Sequence, residues 1–347
     1  MHYWLRAECR ANEKRSPLTP EGATALRAAG HELTVEANEN RCFADEDFAL
    51  AGATILPAGA WKTAPQSATI LGLKELPDAP DALIHDHIMF GHAFKGQSEG
   101  PALLARFKAG GGALLDLEYL VDDAGRRQAA FGYWAGFAGA AVSLLALAAV
   151  RNGRVCAPVD TFENADAMTG AVRAAMAGQE ARALIIGALG RVGSGARAMC
   201  AAAGVPTTDW DMDETRHGGP FPEILDHEVF LNCILAGPET PNFVPQDAGG
   251  RARSLRVIGD IACDPSSDFN PIPLYDQATS WAAPVVRVAD APPLDIMAID
   301  NLPSLLPLES SQDFAGQLLP LLLQLGAPDD RIWTRARATF RAHAGVA

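Results

Sequence analysis

The sequence predicts an α/β protein with two domains, each built on a parallel sheet flanked by helices, and with the active site in the cleft between them. Strand-like apolar runs alternate with helix-like segments along most of the chain, which is the pattern typical of parallel sheets. A glycine-rich turn follows an apolar run in the middle of the chain, at Gly187, rather than near its start. The length of 347 residues also exceeds what one ordinary core requires, so two domains are expected.

Short apolar runs predict five strands in the first half of the chain. They span residues 4–8, 31–36, 69–72, 81–87 and 113–117. A helix is expected to begin after Thr19, because threonine suits the N-cap and Pro20 then occupies the first helical position. A second helix is expected over 101–109, where three consecutive glycines end it.

The second half of the chain repeats this alternation. Strands are predicted at 183–186, 208–212, 227–233, 256–261 and 297–299. The tail is predicted to be helical over 314–325 and 331–343.

Residues 131–150 carry no charge and are numerous enough to cross a bilayer. Two arginines precede this segment and two follow it, so it lacks the charge asymmetry of a membrane span. They are Arg126, Arg127, Arg151 and Arg154. Helices that are apolar on all sides also occur in large cores, and we expect a buried helix between the two domains.

The composition excludes several classes of function. A net charge of −14 and a pI near 5.0 argue against binding to nucleic acid or to an anionic membrane surface. Six cysteines are scattered without CxxC or zinc-like spacing, and the charged N-terminus has no apolar signal sequence. A cytoplasmic protein with a small-molecule substrate is expected.

A glycine-rich loop predicts a dinucleotide site. Three glycines follow the predicted strand at a spacing of three residues: Gly187, Gly190 and Gly193. They allow a tight turn, close approach of the backbone to phosphate, and close packing of helix on strand. Asp211, 24 residues after the first glycine, suits a ribose 2′-hydroxyl and disfavours a 2′-phosphate, which favours NAD over NADP. Asp209 and Asp213 are alternative choices for the ribose-binding aspartate. For the loop itself, the alternative is an ordinary βα turn that binds no nucleotide.

Lys74 and Arg15 are candidate site residues in the first half. Lys74 follows a predicted strand, and the carboxyl ends of parallel strands are where such sheets bind ligands. A partly buried lysine is a suitable general base. Arg15 precedes a predicted helix and offers a bidentate fork for a substrate carboxylate. The alternative interpretations are that Lys74 is a surface lysine and that Arg15 is a solvated loop arginine.

Three histidines occur within residues 85–92. His85 and His87 lie on one face of a predicted strand, so a metal site with His92 is an alternative. No further Cys or His cluster supports it, and we expect no metal. His92, in a loop after Gly91, is the better candidate for acid–base chemistry.

Seven segments together resemble the NAD-dependent, lysine-forming saccharopine dehydrogenases. They are 15–20 (RSPLTP), 72–75 (GLKE), 85–92 (HDHIMFGH), 125–132 (GRRQAAFG), 187–191 (GALGR), 218–221 (GGPF) and 299–307 (IDNLPSLLP). The matches run from residue 5 to about residue 325, and their combination is specific. The first segment, the lysine motif and the later histidine also resemble, more distantly, alanine dehydrogenase and the NAD domain of transhydrogenase.

The resemblance implies two Rossmann-like domains. Residues 1–130 with 302–347 would form a discontinuous catalytic domain, and residues 131–301 would bind NAD. The family reaction is the reversible oxidation of saccharopine to L-lysine and 2-oxoglutarate. NAD takes hydride from the glutamate-side α-carbon, and water then hydrolyses the imine.

The resemblance also implies the roles of individual residues. Lys74 matches the base that deprotonates the secondary amine, and His92 matches the group that moves protons during hydrolysis. Positions that hold the substrate or lie near the reacting centre are matched by Arg15, Gln97, Phe131 and Asp264. Glu75 and Glu118 are nearby carboxylates expected to tune Lys74 and His92 or to meet an amine. Cofactor positions are matched by Arg126, Arg191, Asp211, Thr215, Ile261, Asp300, Asn301 and Leu302.

The chain departs from this family at two places. Val192 stands where some relatives have a cysteine, which leaves Cys233 without that partner, and Leu235 stands where an aromatic residue is common. These departures suggest a divergent member of the family, for which a different amino substrate is an alternative to saccharopine. An alanine-dehydrogenase-like enzyme, acting on a small 2-oxo acid and ammonia, and a non-catalytic NAD-binding protein are the alternatives. Lys74, His92 and Arg15 argue against the latter.

Overall fold

The computed structural model describes residues 1–10, 12–77 and 79–346. The chain divides into two compact units, a first unit of Met1–Ala130 with Pro307–Ala347 and a second unit of Phe131–Leu306. Each unit has a six-stranded, mostly parallel sheet flanked by helices, as the sequence predicts. The second unit extends to Leu306, beyond the expected end at residue 301, because Leu302, Leu305 and Leu306 lie in its apolar core.

The strands of both sheets are short. They are β1 His2–Leu5, β2 Glu32–Glu36, β3 Thr54–Leu56, β4 Ala68–Leu71, β5 Asp86–Met89, β6 Leu114–Asp116, β7 Ala183–Ile186, β8 Thr207–Trp210, β9 Val229–Asn232, β10 Val257–Asp260, β11 Val286–Asp290 and β12 Pro293–Met297.

Helices surround these strands. They are α1 Pro20–Ala28, α2 Asp45–Leu50, α3 Gly100–Gly110, α4 Gly132–Arg151, α5 Ala165–Met176, α6 Arg191–Ala203, α7 Met212–Thr215, α8 Pro307–Gln324 and α9 Arg331–Ala344.

The sheet of the first unit is parallel throughout, in the order β3-β2-β1-β4-β5-β6. The predicted strand over 81–87 begins only at Asp86, because the backbone of Leu83 bonds to Arg106 and Gly112 instead of to a neighbouring strand. The predicted strand over 4–8 ends at Leu5, and the N–H of Ala7 donates to a side chain.

The C-terminal helices pack on the first unit. The hydroxyl of Tyr3 in β1 donates to the carbonyl of Leu322 in α8 at 2.5 Å. Phe340 in α9 lies edge-on to Phe107 in α3, with 5.7 Å between ring centroids. The tail therefore completes the core of the unit that the N-terminal residues begin.

The sheet of the second unit has the order β11-β12-β10-β9-β7-β8, and only the edge strand β11 is antiparallel to its neighbour. Strand β7 has the predicted bounds. The predicted strand over 297–299 is wrong in its bounds, because β12 begins at Pro293 and ends at Met297.

Helix α4 is the core helix of the second unit. It is long and apolar enough to cross a membrane, but 72% of its apolar window is buried inside the protein, so the predicted burial is confirmed. Glycines bring it close to α6. A Cβ added to Gly136 would lie 1.8 Å from the carbonyl oxygen of Val192, and one added to Gly195 would lie 1.9 Å from that of Tyr133.

Candidate active site

The glycine-rich loop of the second unit has the geometry of a phosphate cradle. Gly187, directly after β7, has a φ of +84°, which favours glycine. Gly190 is the N-cap of α6 and places no side chain over the first turn of the helix. A Cβ on Gly193 would lie 2.1 Å from the carbonyl oxygen of Gly187, so only glycine lets the helix approach the turn. Backbone N–H groups at such a helix start favour an anion.

Asp211 is the aspartate that the structure brings to this loop. Its carboxylate accepts N–H bonds from Leu189 in the loop, at 3.1 Å, and from Met212, at 2.9 Å. The two alternatives are engaged elsewhere. Asp209 pairs with Arg197 at 2.8 Å, and the exposed Asp213 lies 3.6 Å from Arg216.

The other predicted cofactor residues lie at several places. In the second unit, Arg191 is the exposed first residue of α6, and the hydroxyl of Thr215 donates to the carbonyl of Asp211 at 2.9 Å. Ile261 and Leu302 are buried beside Gly139 of α4, where a Cβ would lie 2.6 Å and 3.0 Å from their side chains.

Two predicted cofactor residues follow β12, and one lies in the first unit. Asp300 is exposed, and the amide of Asn301 donates to the hydroxyl of Ser304 at 2.6 Å. Arg126 belongs to the first unit, where it pairs with Asp122 at 3.0 Å and is 80% exposed.

A buried carboxylate at the end of β10 was not found from the sequence. Asp260 accepts a hydrogen bond from the amide of Asn232 at 2.9 Å and another from the hydroxyl of Tyr275. Burial raises the pKa of Asp260, although these hydrogen bonds oppose the rise. A lone aspartate at a strand end gives no sequence signal for such a network.

Asp264 and Asp300 both act electrostatically on the thiol of Cys263. Burial, followed by the negative charges of Asp300, Asp260 and Asp264, raises the pKa of the Cys263 thiol to about 12. Cys263 has a φ of +48° and donates to the carbonyl of Ala298 at 3.0 Å. The structure thus brings a predicted substrate residue and a predicted cofactor residue to one loop cluster.

In the first unit, Lys74 is half-buried three residues beyond β4 and is held through its backbone. The carboxylate of Glu8 accepts the N–H groups of Leu73, at 2.7 Å, and of Lys74, at 3.0 Å. Arg6 donates to the carbonyl of Lys74 and lies 3.4 Å from the Glu8 carboxylate. Both side chains are almost fully buried, and their role was not found from the sequence.

Arg15 is buried in an ion pair with Glu13, so a solvated loop arginine is the wrong interpretation. The guanidinium donates twice to the Glu13 carboxylate, at 2.8 Å and 2.7 Å. Burial acts to raise the pKa of Glu13, but the charge and hydrogen bonds of Arg15, together with the charge of Lys74, lower it below its usual value. Glu13 therefore lies in the electrostatic field of both cations.

Glu75 forms a second ion pair near Lys74. Its Oε1 accepts from Nε of Arg10 at 2.7 Å. Burial acts to raise the pKa of Glu75, but hydrogen bonds and the charges of Arg10 and Lys74 lower it. The two carboxylates whose pKa the charge of Lys74 lowers, Glu13 and Glu75, are thus each paired with an arginine.

His92 is exposed beyond β5, in the left-handed conformation with a φ of +48°. Its ring stacks on Phe90 at 6.3 Å. Asp116, buried at the end of β6, accepts the N–H groups of Gly91, at 3.1 Å, and of Glu118, at 2.9 Å. Burial raises the pKa of Asp116, and the charge of His92 opposes that rise.

Further predicted residues follow His92 in the chain. Glu118 pairs with Lys95 at 3.1 Å, and Oε1 of Gln97 accepts the N–H of Lys95 at 2.9 Å. Arg127 was not among the predicted site residues. Its guanidinium carbon lies 5.8 Å from the centroid of the Phe90 ring. Phe131, half-buried at the start of α4, belongs to the second unit.

His85 precedes β5 and His87 lies in it, and both rings are engaged by other groups of the first unit. His87 is fully buried between the rings of Trp61 and Phe107, at 5.1 Å and 5.4 Å. His85 bonds to the carbonyl of Ala64 at 3.1 Å. Within residues 1–10, 12–77 and 79–346, no group of three or more His, Cys, Asp or Glu side chains is placed to hold a metal ion.

Comparison with known proteins gives the family. The family model for the alanine dehydrogenase/PNT N-terminal domain matches residues 4–138. The chain is 44% identical to the saccharopine dehydrogenase [NAD(+), L-lysine-forming] of Neurospora crassa, over 97% of this chain and 94% of that protein. It is 42% identical to the enzyme of the same name in Schizosaccharomyces pombe, over 98% and 97% of the two chains. The chain belongs to this saccharopine dehydrogenase family.

The fold is shared more widely than the family. A solved L-alanine dehydrogenase superposes with a TM-score of 0.69 at 17% sequence identity, covering 98% of this chain and 94% of that one. This likeness supports the predicted pair of Rossmann-like units.

In this member of the saccharopine dehydrogenase family the six cysteines are free thiols, and Cys233 is one of them. Cys233 is buried, and burial raises its pKa. Leu235, at the second departure, is 83% exposed. Both departures lie in the second unit, away from Lys74 and His92 in the chain.

Proposed function

We propose that this protein oxidises saccharopine to L-lysine and 2-oxoglutarate with NAD, in a reversible reaction. One observation carries the proposal: the charge of Lys74, which follows β4, helps to lower the pKa of two carboxylates, Glu13 and Glu75, that are each paired with an arginine. The names of relatives that are more than 40% identical over nearly the whole chain agree with it.

The second unit would hold NAD, which supplies the hydride acceptor for the glutamate-side carbon. Gly187, Gly190 and Gly193 shape a helix start that accepts a pyrophosphate, and a Cβ on Gly187 or Gly193 would overlap atoms packed against this turn. Asp211 lies beside the loop, where it can accept hydrogen bonds from ribose hydroxyls. Further cofactor contacts are assigned to Arg126, Arg191, Thr215, Ile261, Asp300, Asn301 and Leu302.

In the first unit, Lys74 would remove the proton from the secondary amine of the substrate. A lysine accepts a proton only when it is neutral, and a strong counterion would keep it charged. Arg15 and Arg10 compensate the charges of Glu13 and Glu75, so these carboxylates attract the Lys74 ammonium less than unpaired carboxylates would.

His92 would move protons during attack of water on the imine and collapse of the carbinolamine. Its ring is exposed, and its backbone is fixed because Asp116 binds the N–H of the preceding glycine. An exposed imidazole is accessible to water and to substrate for proton transfer. Substrate contacts are assigned to Arg15, Glu75, Gln97, Glu118, Phe131 and Asp264.

We also propose that the first unit acts on the substrate while the second binds NAD, and that the protein works in the cytoplasm on small molecules. The net charge of −14 supports the absence of nucleic-acid and membrane partners.

The test is consumption of NADH by the purified protein. With 2-oxoglutarate and L-lysine we expect turnover, and with pyruvate and ammonia we expect none. Turnover only with pyruvate and ammonia would favour the alanine-dehydrogenase-like alternative. Turnover with 2-oxoglutarate and a different amine would keep the reaction class and reject lysine.

A further inference from the structure

Asp260, at the carboxyl end of β10, is the centre of a buried hydrogen-bond network in the second unit. The residue is 1% exposed, and so is Asn232 at the carboxyl end of β9. Oδ1 of Asp260 accepts from the amide of Asn232 at 2.9 Å and from the N–H of Cys263 at 3.4 Å. Oδ2 accepts from the hydroxyl of Tyr275. The network joins the ends of β9 and β10 to the loop after β10, and nothing in the proposed reaction uses it.

The partners of Asp260 select its ionised form. Side-chain amides and backbone N–H groups donate to it, and a carboxylate only accepts, whereas a carboxylic acid must also donate. The Asn232 amide is oriented by its own Oδ1, which accepts the N–H of Ile234 at 3.4 Å. Burial and the charge of Asp260 raise the pKa of Tyr275, so its hydroxyl keeps its proton and remains a donor. Donors on both oxygens therefore stabilise a negative charge at this buried position.

This negative charge is held by neutral groups rather than by a cation. Asp295, which is also buried in the second unit, pairs instead with Arg287 at 2.7 Å. An ion pair cancels most of its own field, whereas neutral donors leave the net charge of a carboxylate in place. The surroundings add charge of the same sign, because Asp300 and Asp264 act together with Asp260 on a neighbouring cysteine thiol. The field of Asp260 is thus available to a ligand.

The network is connected to the glycine-rich loop. The N–H of Ile234 donates to Asn232, and the side chain of Ile234 packs against Gly187. A Cβ added to this glycine would lie 2.5 Å from Cγ2 of Ile234. One side chain therefore links the pair of Asp260 and Asn232 to the turn that begins the cofactor loop.

The strand order indicates which half of a dinucleotide this pair serves. In the second sheet β8 lies on one side of β7, and β9 and β10 lie on the other, so the order reverses between β7 and β9. A dinucleotide lies across the carboxyl ends of the strands at such a reversal, with one nucleotide on each side. Asp211, which follows β8 beside the glycine-rich loop, belongs to the adenosine side. Asn232 and Asp260 end the strands of the other side, which takes the nicotinamide half.

We propose that Asp260 sets the relative affinity of the cofactor site for the two oxidation states of NAD, through a buried negative charge that neutral donors hold on the nicotinamide side. The oxidised nicotinamide ring carries one positive charge that the reduced ring lacks, so the carboxylate attracts NAD⁺ more than NADH. The site thereby favours the cofactor form that oxidation of the substrate consumes over the form that it releases. This inference rests on the proposed function for the binding of NAD to the second unit.

The experiment measures binding of both cofactor forms to the full chain without substrate. NADH is titrated by the fluorescence of the bound dinucleotide, and NAD⁺ by calorimetry. Asp260→Asn removes the charge and preserves the network, since the new amide can donate to the hydroxyl oxygen of Tyr275. Tyr275→Phe keeps the charge and removes one donor. Asp226→Asn is the matched control, because this exposed aspartate precedes β9, at the opposite edge of the sheet.

We expect Asp260→Asn to weaken NAD⁺ binding by roughly five- to tenfold more than NADH binding, because a charge interaction with the oxidised ring is lost. This difference should persist at high salt, since a buried charge is screened little. In Tyr275→Phe and Asp226→Asn the ratio of the two dissociation constants should stay within about twofold of the wild-type ratio. A purely structural role would weaken both forms alike, so the ratio isolates the charge.

Equal weakening of NAD⁺ and NADH in Asp260→Asn, or an unchanged ratio, would overturn the inference. If that variant does not fold, Asp260→Ser, which keeps an oxygen acceptor without the charge, faces the same two outcomes. Turnover with 2-oxoglutarate and L-lysine together with an unchanged ratio would support the proposed function and reject this role of Asp260. A shifted ratio without that turnover would reject the proposed substrates and support the role.

Discussion

Lys74 is positioned by side chains far from it in the sequence. Glu8 and Arg6 bind its backbone N–H and carbonyl, and these bonds fix the segment after β4. Glu13 and Glu75 interact electrostatically with the Lys74 amine, and two arginines compensate the charges of these carboxylates. The position of Lys74 and its electrostatic environment therefore depend on different residues and can be altered separately.

Replacement of Lys74 by methionine tests the base at the scale of one residue. Methionine keeps the length and removes the proton acceptor, so we expect kcat to fall by roughly 10²- to 10⁴-fold. NADH affinity, measured by fluorescence titration, should stay within about twofold. Lys62→Met, at an exposed lysine that pairs with Asp81, is the control. Equal loss of turnover and NADH affinity would contradict the assignment of Lys74 as the base.

His87 gives a second prediction at this scale, on the dependence of stability on pH. Burial, followed by the charge of Arg6, lowers the pKa of His87 well below its usual value. Below about pH 6.5 the unfolded chain takes up a proton at this histidine while the folded chain does not. The free energy of unfolding should therefore fall as the pH drops from 6.5, with up to about 1.4 kcal/mol per pH unit from this residue.

The check is urea denaturation between pH 7 and pH 5. His87→Phe keeps a ring among Trp61 and Phe107 and removes the titrating group, so its stability should decline less steeply with acid. His217→Gln, at an exposed histidine, should decline like the wild type. Parallel curves for all three proteins would show that His87 contributes nothing to the acid slope.

At the scale of elements, the packing of α4 against α6 depends on glycines on both helices. Gly136 and Gly195 let the backbones approach so closely that an added Cβ would overlap a carbonyl oxygen of the facing helix. This contact supports the helix whose N-terminus forms the glycine-rich loop. The position of the cofactor loop therefore depends on packing behind it as well as on its own glycines.

Gly195→Ala tests this contact. Its Cβ would lie 1.9 Å from the carbonyl oxygen of Tyr133, so the helices must separate, and we expect a loss of at least about 1–3 kcal/mol in the free energy of unfolding. Gly170→Ala in α5 has no atom within 4 Å of its Cβ and should be neutral or stabilising by up to about 1 kcal/mol. Urea denaturation gives both values, and equal stabilities for the two variants would contradict the packing argument.

Local signals explain which elements the sequence could predict. The bounds of β7 and the Thr19 N-cap of α1 follow from neighbouring residues, and both are confirmed. The start of β5 is decided by hydrogen bonds from the Leu83 backbone to the end of α3, more than twenty residues away, so no local pattern reveals it.

The same distinction applies to the candidate site. Lys74 and the glycine-rich loop stand in recognisable patterns, whereas the Arg6 and Glu8 side chains reach Lys74 across more than sixty residues. The Glu13 pair of Arg15 is close in sequence, but its burial depends on how the first unit folds around it. Charged residues in polar loops are usually exposed to solvent, so the sequence analysis did not predict this buried ion pair.

At the scale of the whole molecule, the two units differ in how the chain builds them. The second unit is continuous from Phe131 to Leu306 and has its own sheet and apolar core. The first unit needs both ends of the chain, since Phe340 of α9 packs on Phe107 and Tyr3 bonds to Leu322. Continuity along the chain makes the second unit the candidate for independent folding.

We therefore expect residues 131–306, expressed alone, to unfold cooperatively and to bind NADH, whereas residues 1–306 should lack a folded first unit because removal of α8 and α9 exposes its core. Thermal unfolding followed by circular dichroism and NADH titration by fluorescence test both fragments. NADH should raise the Tm of the 131–306 fragment, since a ligand that binds only the folded state stabilises it. Asp211→Ala in the same fragment should reduce that rise, because Asp211 both contacts the glycine-rich loop and caps α7. A folded 131–306 fragment whose Tm does not respond to NADH would contradict the assignment of the cofactor site to this unit.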